Sequence, residues 1–251
     1  MDYTLKGGII YSTFVSGLTL KTDLYLPNGT ENRPCLVLVH GGGFFRGSRR
    51  EEPIKSYATM FAQNGYVVMS IDYRLSFPSA NAVQQGVQDT LAAVRWIRSQ
   101  SIKYKIDDQR IFVAGTSAGG LCACGAAYMD AQDFLQSNLN HSNEGWSNSV
   151  AGVANLWGAV LKLSYIEQTE SPIISIYGKS DTTVPTDCGN SFGVSCCGGK
   201  AINEYCKTIG VRSVEYPFDG KHGMGNKTSA HYAELLQLTF NEMLTFFNSI
   251  T

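Results

Sequence analysis

One serine stands where a strand-like sequence turns sharply into a helical one. Residues 110–114 are largely apolar, the sequence Gly-Thr-Ser-Ala-Gly follows at residues 115–119, and a helical pattern continues to residue 129. Such a turn holds the hydroxyl of Ser117 exposed above the carboxyl edge of a sheet, and the glycines around it let strand and helix approach. The five-residue pattern alone arises by chance, but the strand before it and the helix after it indicate a nucleophilic serine.

A glycine-rich turn follows an earlier strand-like run. Residues 35–39 are apolar, and His40 is followed by Gly41, Gly42 and Gly43. Because glycines carry no side chain, their backbone N–H groups can face a cavity and stabilise negative charge on a substrate oxygen. A serine nucleophile beside amide donors is suited to acyl transfer.

Four motifs give the chain a resemblance to the α/β-hydrolase superfamily, in particular to esterases of the hormone-sensitive-lipase-like and carboxylesterase group. They are His-Gly-Gly-Gly-Phe at residues 40–44, Asp-Tyr-Arg-Leu at 72–75, Asp-Asp-Gln-Arg-Ile at 107–111 and Gly-Thr-Ser-Ala-Gly-Gly at 115–120. The resemblance extends over most of the chain, from about residue 34 to residue 248, and implies the α/β-hydrolase fold.

The resemblance also implies roles for residues of both turns. Ser117 matches the nucleophile, and the amides of Gly42, Gly43 and Ala118 match the oxyanion hole. His40 matches a structural histidine that orients the glycine turn and takes no proton from the substrate.

Two further groups match the family in the chain order Ser, Asp, His. Asp181 follows a buried strand and matches the acid, and His222 follows the next strand and matches the general base. Imidazole titrates near neutral pH, so His222 can take the proton of Ser117, while a carboxylate behind the ring holds the right tautomer. The rival acids are Asp187 and Asp219, of which Asp219 lies only three residues from His222 on the same loop.

Several large side chains are candidates for contact with a substrate, because they lie at strand ends or in the motif loops. They are Phe44, Phe45, Tyr73, Trp157 and Met224. We expect at most half of them to touch it.

Other polar groups are interpreted as solvent-exposed. Residues 46–52 mix arginines and glutamates, which favours a solvated loop over a contact with an anionic substrate. His141 lies in a stretch rich in Asn and Ser, and His231 lies near the start of the last helix.

The elements that must position these residues follow an α/β pattern. Residues 8–15 and 18–26 are typical of an antiparallel hairpin. Short buried strands then alternate with helices, which predicts a mostly parallel sheet with helices on both faces. The predicted strands are residues 35–39, 66–71, 110–114, 152–156, 172–177 and 211–216.

Two helices are clear from their periodicity. One spans about residues 82–99, and the other spans residues 229–248 with Ser229 as its N-cap. In the second, Leu236, Phe240, Leu244 and Phe247 form a stripe predicted to face the core. No repeat or linker divides the sequence, so we expect one domain over residues 1–251.

The sequence leaves no room for a large cap domain over the site. Strand-like sequence begins almost at once, and residues 157–171 are too few for a lid. Only residues 130–150 and 185–199 are long enough to build a rim. The cleft should therefore be open, which favours short acyl chains, or an exposed acetyl or feruloyl ester on a polysaccharide, over long-chain fats.

Composition excludes several classes of partner. Twenty basic and 21 acidic side chains leave a net charge of −1, which gives no field that attracts nucleic acid. No apolar run approaches the roughly 20 residues of a membrane span. No cofactor or metal is expected, and no signal-peptide pattern is visible.

Four of the seven cysteines fall in one short stretch. Cys188, Cys196, Cys197 and Cys206 lack the paired spacing of a zinc site, so a disulfide is favoured over free thiols or a metal. A disulfide and the low charge favour an extracellular or periplasmic location.

Together these features predict a serine carboxylic ester hydrolase acting through an acyl-enzyme on short-chain or aromatic esters. The alternatives are a serine peptidase or amidase of the same fold, and a homologue that binds a small ligand without catalysis. A small ester, or an ester group on a polysaccharide, is the expected partner.

Overall fold

The computed structural model describes residues 1–250 of the chain. Its strands are β1 (Tyr3–Thr13), β2 (Thr19–Pro27), β3 (Arg33–Val39), β4 (Val67–Ile71), β5 (Ile106–Thr116), β6 (Gly152–Leu156), β7 (Ala159–Val160), β8 (Ile173–Gly178), β9 (Cys188–Ser191), β10 (Val194–Gly198) and β11 (Ser213–Phe218). Its helices are α1 (Ile54–Gln63), α2 (Ala80–Ser99), α3 (Ser101–Tyr104), α4 (Ala118–Tyr128), α5 (Gly199–Ile209) and α6 (Ala230–Asn248). Three short 3₁₀ helices lie at Ala131–Asp133, Gln136–Asn138 and Leu163–Tyr165.

Eight strands form the central sheet in the order β1-β2-β4-β3-β5-β6-β8-β11. The pairs β1–β2 and β2–β4 are antiparallel, and every neighbouring pair from β4 to β11 is parallel. The predicted N-terminal hairpin and parallel sheet are therefore present. Parallel strands place their carboxyl ends at one edge, so the turns after β3, β5, β8 and β11 come together there.

Both faces of the sheet are covered by helices. Successive side chains of a strand point to opposite faces, and in β3 both sets are buried. Cys35, Val37 and Val39 face the layer that contains α2, α4 and α5, whereas Leu36 and Leu38 face the layer that contains α1 and α6. Burial on both faces explains why β3 is a continuous apolar run.

Helix α6 begins as predicted but turns a slightly different face inward. The Ser229 side chain accepts a hydrogen bond from the Tyr232 N–H, as an N-cap does. The sequence stripe is only partly right, because Leu236 and Leu244 are half-buried. The buried side chains are Tyr232, Leu235, Thr239, Phe240, Met243, Phe246 and Phe247.

Residues 185–199, predicted as a loop, contain a β-hairpin. Strands β9 and β10 pair antiparallel, and β10 also pairs with β7 in a small second sheet. Cys188 and Cys197 are directly opposite each other and form a disulfide. The other cysteines of the described residues are buried free thiols.

The segment 130–150, predicted as part of a rim, packs instead against α2 and β1. The Arg95 Nε and Arg98 Nη2 atoms donate to the carbonyls of Ser142 and Ser149, at 3.0 Å and 2.7 Å. Asn140 Nδ2 donates to Asp89 Oδ1 at 2.9 Å. Burying the polar groups of this long segment against α2 holds it to the body of the protein. In the part of the chain described, no helix is long and apolar enough to span a bilayer.

Among the charged residues 46–52, predicted to be solvated, Arg46, Arg50 and Glu51 are exposed, but two arginines also pair with a buried carboxylate. Arg49 Nε donates to Asp23 Oδ1 at 2.9 Å, Arg50 Nε donates to Asp23 Oδ2 at 2.5 Å, and Arg49 Nη1 pairs with Asp72. Asp23 is buried, so the two arginines supply the charge that its carboxylate needs there. Arg49 and Arg50 thereby tie the segment after the glycine turn to β2.

Candidate active site

Ser117 lies between β5 and α4 in a backbone conformation that few non-glycine residues adopt. Its φ is +54° and its ψ is −119°. Its N–H donates to the Leu156 carbonyl at 2.8 Å, which anchors the turn to β6. A Cβ at Gly119 would lie 2.2 Å from the Val39 carbonyl oxygen, so only glycine allows α4 to start this close to β3. The predicted sharp strand-to-helix turn is present.

Three of the predicted residues form one chain of hydrogen bonds. Ser117 Oγ lies 2.8 Å from His222 Nε2, and His222 Nδ1 lies 2.7 Å from Asp181 Oδ2. Because the Asp181 carboxylate can only accept, Nδ1 carries the proton and Nε2 is free to accept from the Ser117 hydroxyl. The Asp181 side chain is 1% exposed and the His222 ring is 23% exposed, so the chain runs from the interior to an accessible surface.

The loop after β8 holds the Asp181 carboxylate in place. Its Oδ1 atom accepts hydrogen bonds from the N–H groups of Thr183 and Val184, at 2.9 Å and 3.0 Å. One oxygen is thus satisfied by the backbone while the other remains for His222. This division leaves the carboxylate a single orientation toward the imidazole.

The glycine turn and the start of α4 present amides that no other group uses. Within residues 1–250, the N–H groups of Gly42, Gly43 and Ala118 donate to no protein acceptor. All three residues border the cavities beside Ser117. Gly42 has a φ of +108°, and a Cβ there would lie 2.1 Å from the Arg46 carbonyl oxygen, so the turn requires glycine.

His40 packs against the buried side of the glycine turn and is hydrogen-bonded to it. Its ring is buried, and Nδ1 donates to the Gly41 carbonyl at 2.7 Å. Burial lowers the pKa of His40, which keeps the ring neutral. Tyr73 stacks on this ring at a centroid separation of 4.4 Å, and its hydroxyl donates to the His40 carbonyl at 3.2 Å.

Two of the predicted substrate contacts, Tyr73 and Met224, do not line the cavities at Ser117. Tyr73 lies behind the glycine turn with His40 and borders neither cavity at Ser117. Met224 is buried in the layer with α1 and α6, where its sulfur accepts from the Tyr57 hydroxyl at 3.7 Å. Both follow strand ends or motifs, but the turns direct their side chains into the core.

Two cavities meet at Ser117. The small one has a volume of about 30 Å³ and mostly apolar walls, which include Phe44. The large one has a volume of about 390 Å³ and includes His222 and Trp157. Phe44 and Trp157 are thus the predicted contact residues that do border the site, along with Phe45, which faces the large cavity.

Other residues of the small cavity were not predicted. They are Pro78, Leu121, Val184, Ser191, Phe192 and Val194. Residues 191–194 reach the site only because the β9–β10 hairpin folds over it. The length of the segment 185–199 was the one signal in the sequence that pointed to them.

The rival polar residues lie away from the site. Asp219 is 92% exposed and pairs with Lys179, and Asp187 pairs with Lys200. His141 pairs with Glu144 on the surface, and His231 is exposed.

Among residues 1–250, the side chains of His, Cys, Asp and Glu form no group of three or more that is placed to hold a metal ion.

Comparisons with known proteins identify the family. A model of the BD-FAE family matches residues 22–161, which is more than half of the chain. The para-nitrobenzyl esterase of Bacillus subtilis (strain 168) is 31% identical over 126 residues, which are 46% of this chain and 26% of that esterase. The esterase LipC of Mycobacterium tuberculosis (strain ATCC 25618 / H37Rv) is 33% identical over 131 residues, which are 51% of this chain and 30% of LipC. The chain thus spans less than a third of either relative.

A solved structure agrees over the whole fold. The apo form of Thermogutta terrifontis esterase 2 superposes with a TM-score of 0.78 at 21% identity, and the alignment covers 100% of this chain and 96% of that one. The order of strands and the helices on both faces agree with this likeness. The chain belongs to the BD-FAE family, and its fold is that of the α/β-hydrolase esterases.

Proposed function

We propose that the protein is a serine carboxylic ester hydrolase that works through an acyl-enzyme. The observation that supports this most directly is the unbroken hydrogen-bonded chain from Asp181 through His222 to Ser117, which ends beside unused amides. A hydroxyl is a weak nucleophile at neutral pH, and a neutral imidazole acceptor within 2.8 Å is what activates it.

In the first half of the reaction Ser117 attacks the ester. His222 Nε2 takes the hydroxyl proton as Oγ bonds to the carbonyl carbon, and the amides of Gly42, Gly43 and Ala118 donate to the oxyanion. Each such donor contributes about 3–4 kcal/mol to the transition state. The carbon–alkoxide bond then breaks, and His222 delivers the proton to the departing alkoxide.

In the second half a water molecule repeats these steps on the acyl-enzyme. His222 takes a proton from the water as the water oxygen bonds to the acyl carbon, the bond from that carbon to Ser117 Oγ then breaks to release the acid, and His222 returns the proton to Oγ. Asp181 keeps the ring in the same tautomer through both halves and stabilises the imidazolium each time it forms. No other reactant is required.

The substrate class follows from the access to the site. The His222 ring is partly exposed, and the large cavity beside it has a volume of about 390 Å³. An open cleft of this kind suits esters of short-chain or aromatic acids, including acetyl or feruloyl groups carried on a polysaccharide.

The nucleophile is tested by Ser117→Ala. The variant should keep its fold and lose hydrolysis of p-nitrophenyl acetate by at least roughly 10⁴-fold in kcat, because removing the nucleophile disables the whole triad. Circular dichroism and steady-state kinetics measure the two properties. Turnover close to that of the wild type would exclude Ser117 as the nucleophile.

Two further measurements separate the remaining alternatives. A fluorophosphonate probe should label the wild type at Ser117, whereas a protein that only binds ligand would stay unlabelled. Matched ester and amide substrates compare leaving groups, and a higher kcat/KM for the amide would indicate a peptidase or amidase instead.

A further inference from the structure

The two cavities lie on different sides of the serine. Ser117 borders both, but His222 borders only the large cavity and Ala118 only the small one. In the proposed reaction the departing alkoxide must receive its proton from His222 Nε2, within hydrogen-bond reach. The alcohol part of the ester must therefore lie in the large cavity. The acyl part then extends to the other side of Ser117 Oγ, into the small one.

The small cavity limits the length of the acyl group. Its volume is about 30 Å³, less than a tenth of the 390 Å³ of the large cavity, so only a short chain of atoms fits beyond the carbonyl carbon. Phe44, Leu121 and Val194 are buried and supply apolar walls. These dimensions suit saturated acyl groups of about two to four carbons and leave no room for the aromatic ring of a feruloyl group.

Phe192 lies at the solvent-facing rim of this cavity. It lies at the tip of the β9–β10 hairpin with a φ of +50°, and it borders both cavities although its side chain is 66% exposed. The hairpin rather than burial holds it there. Ser191 Oγ donates to the Thr183 carbonyl at 2.6 Å, and the Cys188–Cys197 disulfide links the two strands.

The large cavity offers room and hydrogen-bonding groups for the alcohol. Its 390 Å³ is lined by groups of both signs, which include Arg46, Glu51, Glu52 and Lys227. Balanced charges give no preference for an ionised alcohol. A large neutral alcohol is therefore compatible with this side, and the small cavity sets the tighter limit.

From these observations we infer that the site divides the ester at Ser117, with an acyl group of two to four carbons in the small cavity and the alcohol in the large one. Phe192 is the specificity-determining residue that sets the upper limit of the acyl chain. This inference rests on the proposed ester hydrolysis and narrows it from short-chain or aromatic acids to short saturated ones.

The test compares acyl groups at a fixed alcohol. The kcat/KM values are measured for p-nitrophenyl acetate, butyrate, octanoate and ferulate. The wild type should prefer acetate and butyrate over octanoate and ferulate by at least roughly 10-fold. Phe192→Ala should raise kcat/KM for octanoate and ferulate by roughly 10-fold relative to acetate. Trp146→Ala, an exposed aromatic residue in the segment 130–150, should leave the ranking as in the wild type.

A second variant tests the assignment of the two sides. Val194 borders only the small cavity, so Val194→Phe should retain acetate and lose butyrate, without changing the ranking of acetate esters of different alcohols. A change in alcohol ranking with acyl ranking intact would reverse the assignment and overturn the inference.

Failure of this inference can be distinguished from failure of the proposed ester hydrolysis. A wild type that is labelled at Ser117 and hydrolyses esters, but whose acyl ranking Phe192→Ala does not change, overturns the inference and leaves ester hydrolysis standing. Absence of labelling and of turnover would overturn the proposed function itself.

Discussion

His222 can serve Ser117 only while its ring has a defined orientation and tautomer. The Asp181 carboxylate imposes both, because one oxygen accepts from the backbone N–H groups of Thr183 and Val184 and the other accepts from His222 Nδ1. The nucleophile, by contrast, is oriented by its own backbone, whose positive φ projects Oγ from the turn. Each side chain is thus positioned by its own local contacts, so a substitution at one of them should leave the other two in place.

Asp181→Asn tests the acid without removing a side chain. The amide of Asn can still accept from Thr183 and Val184, but its NH₂ group facing the imidazole favours the wrong tautomer. We expect kcat for p-nitrophenyl acetate to fall by roughly 10⁴-fold. Asp219→Asn is the matched control, since Asp219 is exposed and pairs only with Lys179, and it should leave kcat unchanged. The reverse pattern would show that Asp219 is the acid.

For single residues, the sequence predicts the position along the sheet edge better than the direction in which the side chain points. The residues of the hydrogen-bonded chain could be placed because each follows a strand whose carboxyl end lies at the same edge of the sheet. The direction of a side chain depends on turn geometry that local sequence does not reveal. Tyr73 and Met224 turn inward for this reason. Phe44, Trp157 and Phe192 each have a positive φ, and their side chains line the cavities at Ser117.

Among the elements beside the site, strand β9 contributes little to the hydrophobic core. The side chains of β9 are mostly exposed, and the hairpin is joined to the rest by β7 and by Ser191. The Cys188–Cys197 disulfide closes a separation of nine residues, which stabilises such a loop by about 2–3 kcal/mol in the chain-entropy treatment. The disulfide should therefore matter more to the hairpin than to the central sheet.

Reduction of this disulfide should loosen the hairpin selectively. With a dithiol reductant, backbone amides of residues 188–198 should exchange with deuterium faster, while those of β3 and β5 should not change. Hydrogen exchange read by mass spectrometry measures both regions. The Cys188→Ser, Cys197→Ser double variant should already exchange fast and should not respond to reductant. Unchanged exchange of the hairpin on reduction would show that its strand pairing alone holds it.

The hairpin also contains an element that the sequence does not predict, namely strand β9. The inner strands β3, β4, β6 and β8 were predicted to within two residues, because burial on both faces leaves continuous apolar runs. Strand β6 was predicted with its observed bounds. Strand β9, with the sequence Cys-Gly-Asn-Ser, has neither an apolar run nor a clear alternation, so nothing in it distinguishes a strand from a loop.

At the scale of the whole molecule, an ionic cluster around the buried Asp23 carboxylate joins the site to the sheet. Asp23 on β2 pairs with Arg49 and Arg50, and Asp72, just beyond β4, accepts from the Arg49 N–H at 2.9 Å. The cluster fixes the segment that follows the glycine turn. It was predicted as a solvated loop, since mixed charges alone do not show that a buried partner lies on a distant strand.

Ionisation of the Asp23 carboxyl should determine part of the stability of the fold at low pH. Burial alone would raise its pKa, but hydrogen bonds from Arg50 and Arg49 outweigh burial and lower the pKa from 3.8 to about 2. The stabilisation is thus fully present above about pH 4 and is lost as the pH falls toward 2. Asp23→Asn lacks this contribution, so its urea midpoint should lie below that of the wild type at pH 6, and the gap should narrow as the pH falls from 4 to 2. A gap of constant size over that range would mean that the Asp23 charge does not stabilise the fold.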